Sequence, residues 1–267
     1  MRTFHELARM DGRVAAITGG AGHLGRAMAA ALAEVGAGVV LVDLDGDACR
    51  TAAEAVAAAH GTPCLGIGLD LVDEAAVRGL SSRIAGELGR LDVLVNNAAF
   101  VGTTALSGWA VPFAEQSSDT WRRALEVNLT AAFNLVQSCE PALRASGHGA
   151  IVNVASIYGL LGPDLRLYAG TRMGNPAAYA ASKGALLQFT RWCSTVLAPD
   201  VRANSITPGG LFRGQNPDFV SRYVERTPMG RMGTEEDFKG AIVYLASDLS
   251  AYMTGQNLVV DGGWSAW

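Results

Sequence analysis

The sequence predicts an α/β fold, a doubly wound parallel sheet with helices on both faces, in a single domain. Three observations carry that expectation. Short apolar runs alternate with helical stretches from Arg13 to Val95, the βαβ signature of a parallel sheet. Of the 267 residues, 49% are apolar and 17% charged, with 32 glycines, a balance suited to strands covered on both faces. No linker, charge block, low-complexity segment or internal repeat divides the chain, so residues 1–267 are assigned to one domain.

Residues 13–18 read as a short buried strand. Gly19-Gly20-Ala21-Gly22-His23-Leu24-Gly25 follows, then an alanine-rich helix over 26–35. Gly20, Gly22 and Gly25 satisfy G-x-G-x-x-G in the strand–turn–helix setting where glycines let a pyrophosphate approach a helix N-terminus. The second strand, 39–42, ends in Asp43. A carboxylate there can accept hydrogen bonds from adenosine ribose hydroxyls and would repel a 2′-phosphate, which favours NAD over NADP. The competing reading makes Asp43 the cap of a helix over Gly46–His60. A third strand, 63–68, runs into Asp70 and Leu71, and a helix over 73–88 leads to a fourth strand, 91–95. Asn96-Asn97-Ala98-Ala99 then stands at a strand's carboxyl end, the rim where open α/β sheets bind ligands. Further on, 150–154 reads as a strand, 235–247 as an amphipathic helix and Asn257–Val260 as the last strand.

The stretch Tyr179-Ala180-Ala181-Ser182-Lys183 follows Pro176 and opens an apolar run, 184–197, which reads as the first turns of a buried helix. Tyrosine and lysine four residues apart share a helix face. A free phenol has a pKa near ~10. An ammonium beside it in a poorly solvated cleft favours the phenolate, as a general base for an alcohol requires.

Over essentially its whole length the chain resembles the short single-domain branch of the short-chain dehydrogenase/reductase family. The resemblance is carried by Thr18, Gly19 and Gly25, by Asp70, by Asn96-Asn97-Ala98, by Asn128 within Val127-Asn128-Leu129, by Ser156, Tyr179 and Lys183, by Pro208-Gly209 and by Asp261-Gly262-Gly263-Trp264. It implies a Rossmann-type sheet in the order 3-2-1-4-5-6-7 and an NAD-dependent enzyme interconverting a secondary alcohol and a ketone by hydride transfer. Tyr179 would move the hydroxyl proton, Lys183 would lower the phenol pKa and hold the nicotinamide ribose, Ser156 would fix the substrate oxygen, and Asn128 would anchor a proton-relay water. The cofactor groove would comprise Gly19, Gly22, His23, Leu24, Gly25, Asp43, Asp70, Leu71, Asn97, Ala98, Tyr179, Lys183, Pro208 and Gly209. A nucleotide-sugar epimerase or dehydratase that retains NAD, and a non-catalytic NAD-binding regulator, are the alternatives.

Three features depart from the family pattern. His23 stands where the single-domain branch usually has glycine, either as a solvated helix-start residue or as a cationic partner for the pyrophosphate. Ser156 and Tyr179 are widely spaced, with a polar insert over 162–175 whose Arg166 and Arg172 could bind an anion and whose Asp164 and Thr171 could bind hydroxyls, or which could form a solvated rim. Arg213 replaces a threonine that often contacts the nicotinamide amide. The insert tilts the expected substrate toward a sugar, sugar acid or other polyol. Segments 100–118 and 210–232 are the other expected substrate loops, with Gly209, Gly210 and Gly214 as a hinge.

A net charge of -4 gives no basic footprint for nucleic acid. The longest apolar candidate, 27–42, is broken by Glu34 and two glycines, so no membrane partner is expected. Without an apolar signal centre near the start, a cytoplasmic location is the default. Cys49, Cys64, Cys139 and Cys193 lack metal-ligand spacing and are expected to be ordinary buried thiols, with no metal site. Trp264 and Trp267 should pack against the core or another subunit, and together with the resemblance they suggest a homodimer or homotetramer.

Overall fold

The computed structural model describes residues 1–101 and 106–267. Seven parallel strands form one sheet in the order β3-β2-β1-β4-β5-β6-β7, as the resemblance implies: β1 (Val14–Thr18), β2 (Gly38–Asp43), β3 (Cys64–Gly68), β4 (Val93–Asn96), β5 (Gly149–Val154), β6 (Val201–Pro208) and β7 (Asn257–Val260). Ile17 pairs with Leu41 on one side and Val95 on the other. Successive side chains of β1 divide between two cores, because strand side chains alternate faces. Ala15 and Ile17 join α2 (His23–Glu34), α3 (Gly46–His60) and α9 (Lys239–Ala246), while Val14 and Ala16 join α4 (Glu74–Leu88), α6 (Ala131–Ser146) and α7 (Ala177–Val196). Burial on both faces explains why these strands read as unbroken apolar runs.

Local chemistry sets the helix ends. Asp45 and Asp73 accept hydrogen bonds from Ala48 N and Ala76 N at the starts of α3 and α4, satisfying amides that the helix itself leaves unpaired. Both helices end on glycines at positive φ, Gly61 at 69° and Gly89 at 79°, where other residues are strained. Because Asp45 caps α3, Asp43 does not. The remaining helices are α1 (Phe4–Ala8), α5 (Ser118–Leu125) and α8 (Pro217–Glu225).

The helix expected over 235–247 is composite. A 3-10 turn, Glu235–Phe238, precedes α9, with Thr234 and Asp237 capping each other and Arg231 holding Asp237. Trp264 is buried within its own chain, stacked on Tyr223 with the Arg226 guanidinium 5.0 Å from its ring, so this indole belongs to the core. Trp267 is exposed and donates to Arg226 O. The four cysteines are free, three of them buried. Among the described residues no helix is long and apolar enough to cross a membrane.

Candidate active site

The order 2-1-4 places β1 at the point where the chain switches direction across the sheet, and a crevice at the strands' carboxyl ends follows. There a cleft of about 640 Å³ opens, and every residue expected in the cofactor groove lines it, from Gly19 and His23 at one end to Tyr179, Lys183, Pro208 and Gly209 at the other. Ser156 lines it too; Asn128 does not.

The glycine turn is shaped by close approach. Gly19 has φ of 65°, and a Cβ on Gly25 would lie 2.2 Å from the Gly19 carbonyl oxygen, so α2 can meet the turn only without one. No side chain caps α2 at Gly22, which leaves its first-turn amides facing the cleft mouth. His23 is its exposed first residue. The Asp43 carboxylate ends β2 at the wall, accepting from Ala21 N at 3.2 Å and Leu44 N at 2.8 Å. Asp70 accepts from Val72 N and lines the same end with Leu71. Asn97 works inward: its amide donates to the Thr18 and Gly19 carbonyls, while the Thr18 hydroxyl accepts from the Asn97 and Ala98 amides. The pair locks the glycine turn to the end of β4.

Tyr179 lies in the first turn of α7 and Lys183 one turn further. Lys183 is 2% exposed and donates to the Val154 carbonyl at 2.7 Å, at the end of β5. Burial lowers its pKa to about 8. Its nitrogen stands 5.8 Å from the Tyr179 ring centroid. Ser156 begins a 3-10 turn after β5, accepts from Tyr158 N, and its hydroxyl pulls the Tyr179 phenol downward. Burial outweighs that pull and leaves the phenol above its ordinary value. Burial and Ser156, rather than Lys183, are the influences on the phenol; the ammonium is turned to the Val154 carbonyl.

Asn128 sits in a π-helical turn, Glu126–Thr130, between α5 and α6. Its oxygen accepts from Phe100 N at 2.6 Å and its nitrogen donates to Ser182 Oγ at 3.0 Å. The side chain therefore ties the segment after β4 to α7, beneath the Tyr179–Lys183 turn.

The 162–175 insert does not line the cleft. Asp164 holds both Arg166 and Arg226, Thr171 closes a local turn on Tyr168, and Arg172 is exposed. The anion-binding part expected of Arg166 is thus taken by Asp164. Apolar burial explains the placement: Leu167, Tyr168 and Met173 pack with Ile157, Phe219, Tyr223, Met232 and Trp264. Arg213 lines the cleft and pairs with Glu235 at 3.1 Å. Of the expected 100–118 loop, residues 102–105 lie outside the described residues. Sequence reasoning did not single out Tyr158, which stands near Tyr179, Trp109, which belongs to the apolar cluster Tyr179 packs against, or Asn175, whose amide faces the Tyr158 and Tyr168 hydroxyls. Only the spacing of Tyr158, two residues past Ser156, could have flagged any of them.

A parallel sheet with a switch-point cleft, an uncapped helix start and a tyrosine–lysine pair define a dinucleotide-dependent oxidoreductase class. The comparisons with known proteins narrow this. Residues 19–265 match the family model described as enoyl-(acyl carrier protein) reductase. Cis-4-hydroxycyclohexanecarboxylate dehydrogenase of Sinomonas cyclohexanicum is 36% identical over 95% of this chain and 97% of that protein. The crystal structure of an NAD+-bound xylitol dehydrogenase superposes with a TM-score of 0.84 at 30% identity, covering 95% of this chain and 99% of that one. A gluconate 5-dehydrogenase from Burkholderia cenocepacia, in complex with NADP and tartrate, gives 0.87 at 30% identity over 99% and 100%. The chain belongs to the short-chain dehydrogenase/reductase family.

Proposed function

We propose that this protein is an NAD-dependent dehydrogenase that interconverts a secondary alcohol, on a ring or a polyol, with its ketone. The observation that carries the reading is the convergence of Tyr179, Ser156 and Lys183 at one end of the cleft whose other end holds Asp43. The cleft suits a dinucleotide: the uncapped α2 start would hold the pyrophosphate, Asp43 the adenosine ribose and Lys183 the nicotinamide ribose. When bound, the oxidised nicotinamide supplies the hydride acceptor. Tyr179 would take the hydroxyl proton as the carbinol carbon gives up its hydrogen as hydride, and the C–O bond would become the carbonyl. Ser156 holds the substrate oxygen beside the phenol. Because burial raises the Tyr179 phenol, rising pH favours oxidation and falling pH favours ketone reduction. The names of the relatives, a hydroxycyclohexanecarboxylate dehydrogenase and a xylitol dehydrogenase among them, support this substrate range.

Related structures carry NAD in one case and NADP in another, so the preference rests on Asp43. Its carboxylate would repel a 2′-phosphate. A panel of cyclic alcohols and polyols assayed with each cofactor tests the reading. NADH should form faster than NADPH, and Asp43→Ser should shrink that preference by about tenfold or more. Equal use of both cofactors by the unsubstituted protein would remove the assignment to NAD.

A further inference from the structure

Among the described residues two arginines line the cleft, Arg123 and Arg213. Arg123 stands on α5, which packs against α7. Arg213 belongs to the α2 side. Its ion partner Glu235 opens the 3-10 turn that touches α2, and Leu211, two residues before Arg213, packs on the same core cluster as Leu24 in the first turn of α2. Leu24, Leu211 and Arg213 all border the cleft, together with Gly22 and His23.

The backbone around Arg213 is fixed, while its guanidinium is held loosely. Phe212 N donates to the Gly233 carbonyl and Gly233 N to the Gly210 carbonyl, both at 2.9 Å. Arg213 N donates to Gln215 Oε1, and Gln215 Nε2 donates to the Leu211 carbonyl. The Arg213 side chain meets Glu235 at 3.1 Å, and the two are 38% and 28% exposed. Arg231, by contrast, is gripped by both carboxylate oxygens of Asp237 at 2.7 Å. A longer, accessible ion pair of the Arg213 kind contributes little to stability and is readily exchanged.

We propose that Arg213 is a cofactor-binding residue that Glu235 holds in reserve. The guanidinium leaves Glu235 for the pyrophosphate of the incoming dinucleotide, and the carboxylate, by competing for it, sets how tightly the dinucleotide is kept. This rests on the dinucleotide reading of the cleft. The first-turn amides of α2 are neutral donors; a guanidinium adds a charge and paired donors that match phosphate oxygens. Lys183 is turned to Val154, and Asp43 and Asp70 add negative charge to the cleft, so the phosphates gain most from a cation on the α2 side. The threonine of the family pattern offers a hydroxyl there but no charge to exchange. Once Arg213 moves, Glu235 is left beside the bound anion, and repulsion between like charges favours release.

Calorimetric titration of NAD and of ADP-ribose, which has the pyrophosphate and no nicotinamide, tests this without turnover. Arg213→Gln should weaken both ligands by about tenfold, the effect of one charged hydrogen bond, and Arg213→Lys should recover part of that loss. Glu235→Gln should act in the opposite direction and tighten both by about threefold, with a smaller gain in the Arg213→Gln background. Thermal melts report folding. An ion pair that only braces the loop predicts weaker binding from both substitutions; that result, or affinities unmoved by either, overturns the exchange. A loss confined to NAD overturns it too, since it places Arg213 at the nicotinamide. An unsubstituted protein that binds neither ligand removes the dinucleotide reading and this proposal together.

Discussion

Lys183 shows how one residue is shaped by competing demands. Its ammonium is buried and donates to the Val154 carbonyl, and burial brings its pKa from 10.5 down to about 8. Below pH about 8 both folded and unfolded chains carry the charge and the folded state bears the full desolvation cost. Between about 8 and 10.5 the unfolded chain binds more protons, so stability rises with pH across that window. At neutral pH the cost is of the order of 3 kcal/mol. Lys183→Met should therefore stabilise the protein near pH 7 by about 1–3 kcal/mol, less the lost carbonyl contact, and the gain should shrink in melts near pH 10. A variant less stable than its parent at both pH values would contradict this. Burial also holds the Tyr179 phenol above its ordinary value, a balance the i, i+4 spacing alone could not show.

At the scale of elements, legibility followed burial and punctuation. β1, β2 and β4 were readable because burial on both faces gives continuous apolar runs, and α3 was readable to its end residues because Asp45 and Gly61 mark them. β6 had no range of its own from the sequence. Arg202, Asn204, Ser205 and Thr207 interrupt it, and their polarity is hidden by specific partners: the Leu245, Ser247 and Met253 carbonyls, the Ser250 hydroxyl and Asn257 Oδ1. The cleft lining was legible because backbone geometry demands glycine and a strand end fixes Asp43. The substrate side was not. Arg166 and Asp164 read equally as ligand contacts or as a solvated rim, and in the fold these two charges close in sequence pair with each other.

For the whole molecule, α5, α6 and α7 present an aromatic face that the fold leaves outward. Trp192 is 53% exposed, Phe133 43% and Trp121 40%, with Trp192 stacked on Phe189 and Phe133 tilted against it. Exposed aromatics that touch one another, as Phe133, Phe189 and Trp192 do, mark association surfaces. The homo-oligomer expected from the sequence has this face to use, since the indole of Trp264 is spent internally; Trp192→Glu should then lower the mass read by sedimentation or light scattering, and an unchanged mass would reject this surface. The central claim, that a phenol delivered by α7 to a dinucleotide cleft performs the proton transfer, is tested most directly by Tyr179→Phe. With the best alcohol, kcat should fall by about 10²–10⁴ while NAD binding, read by titration, stays within a few fold. Near-normal turnover in that variant would contradict the account.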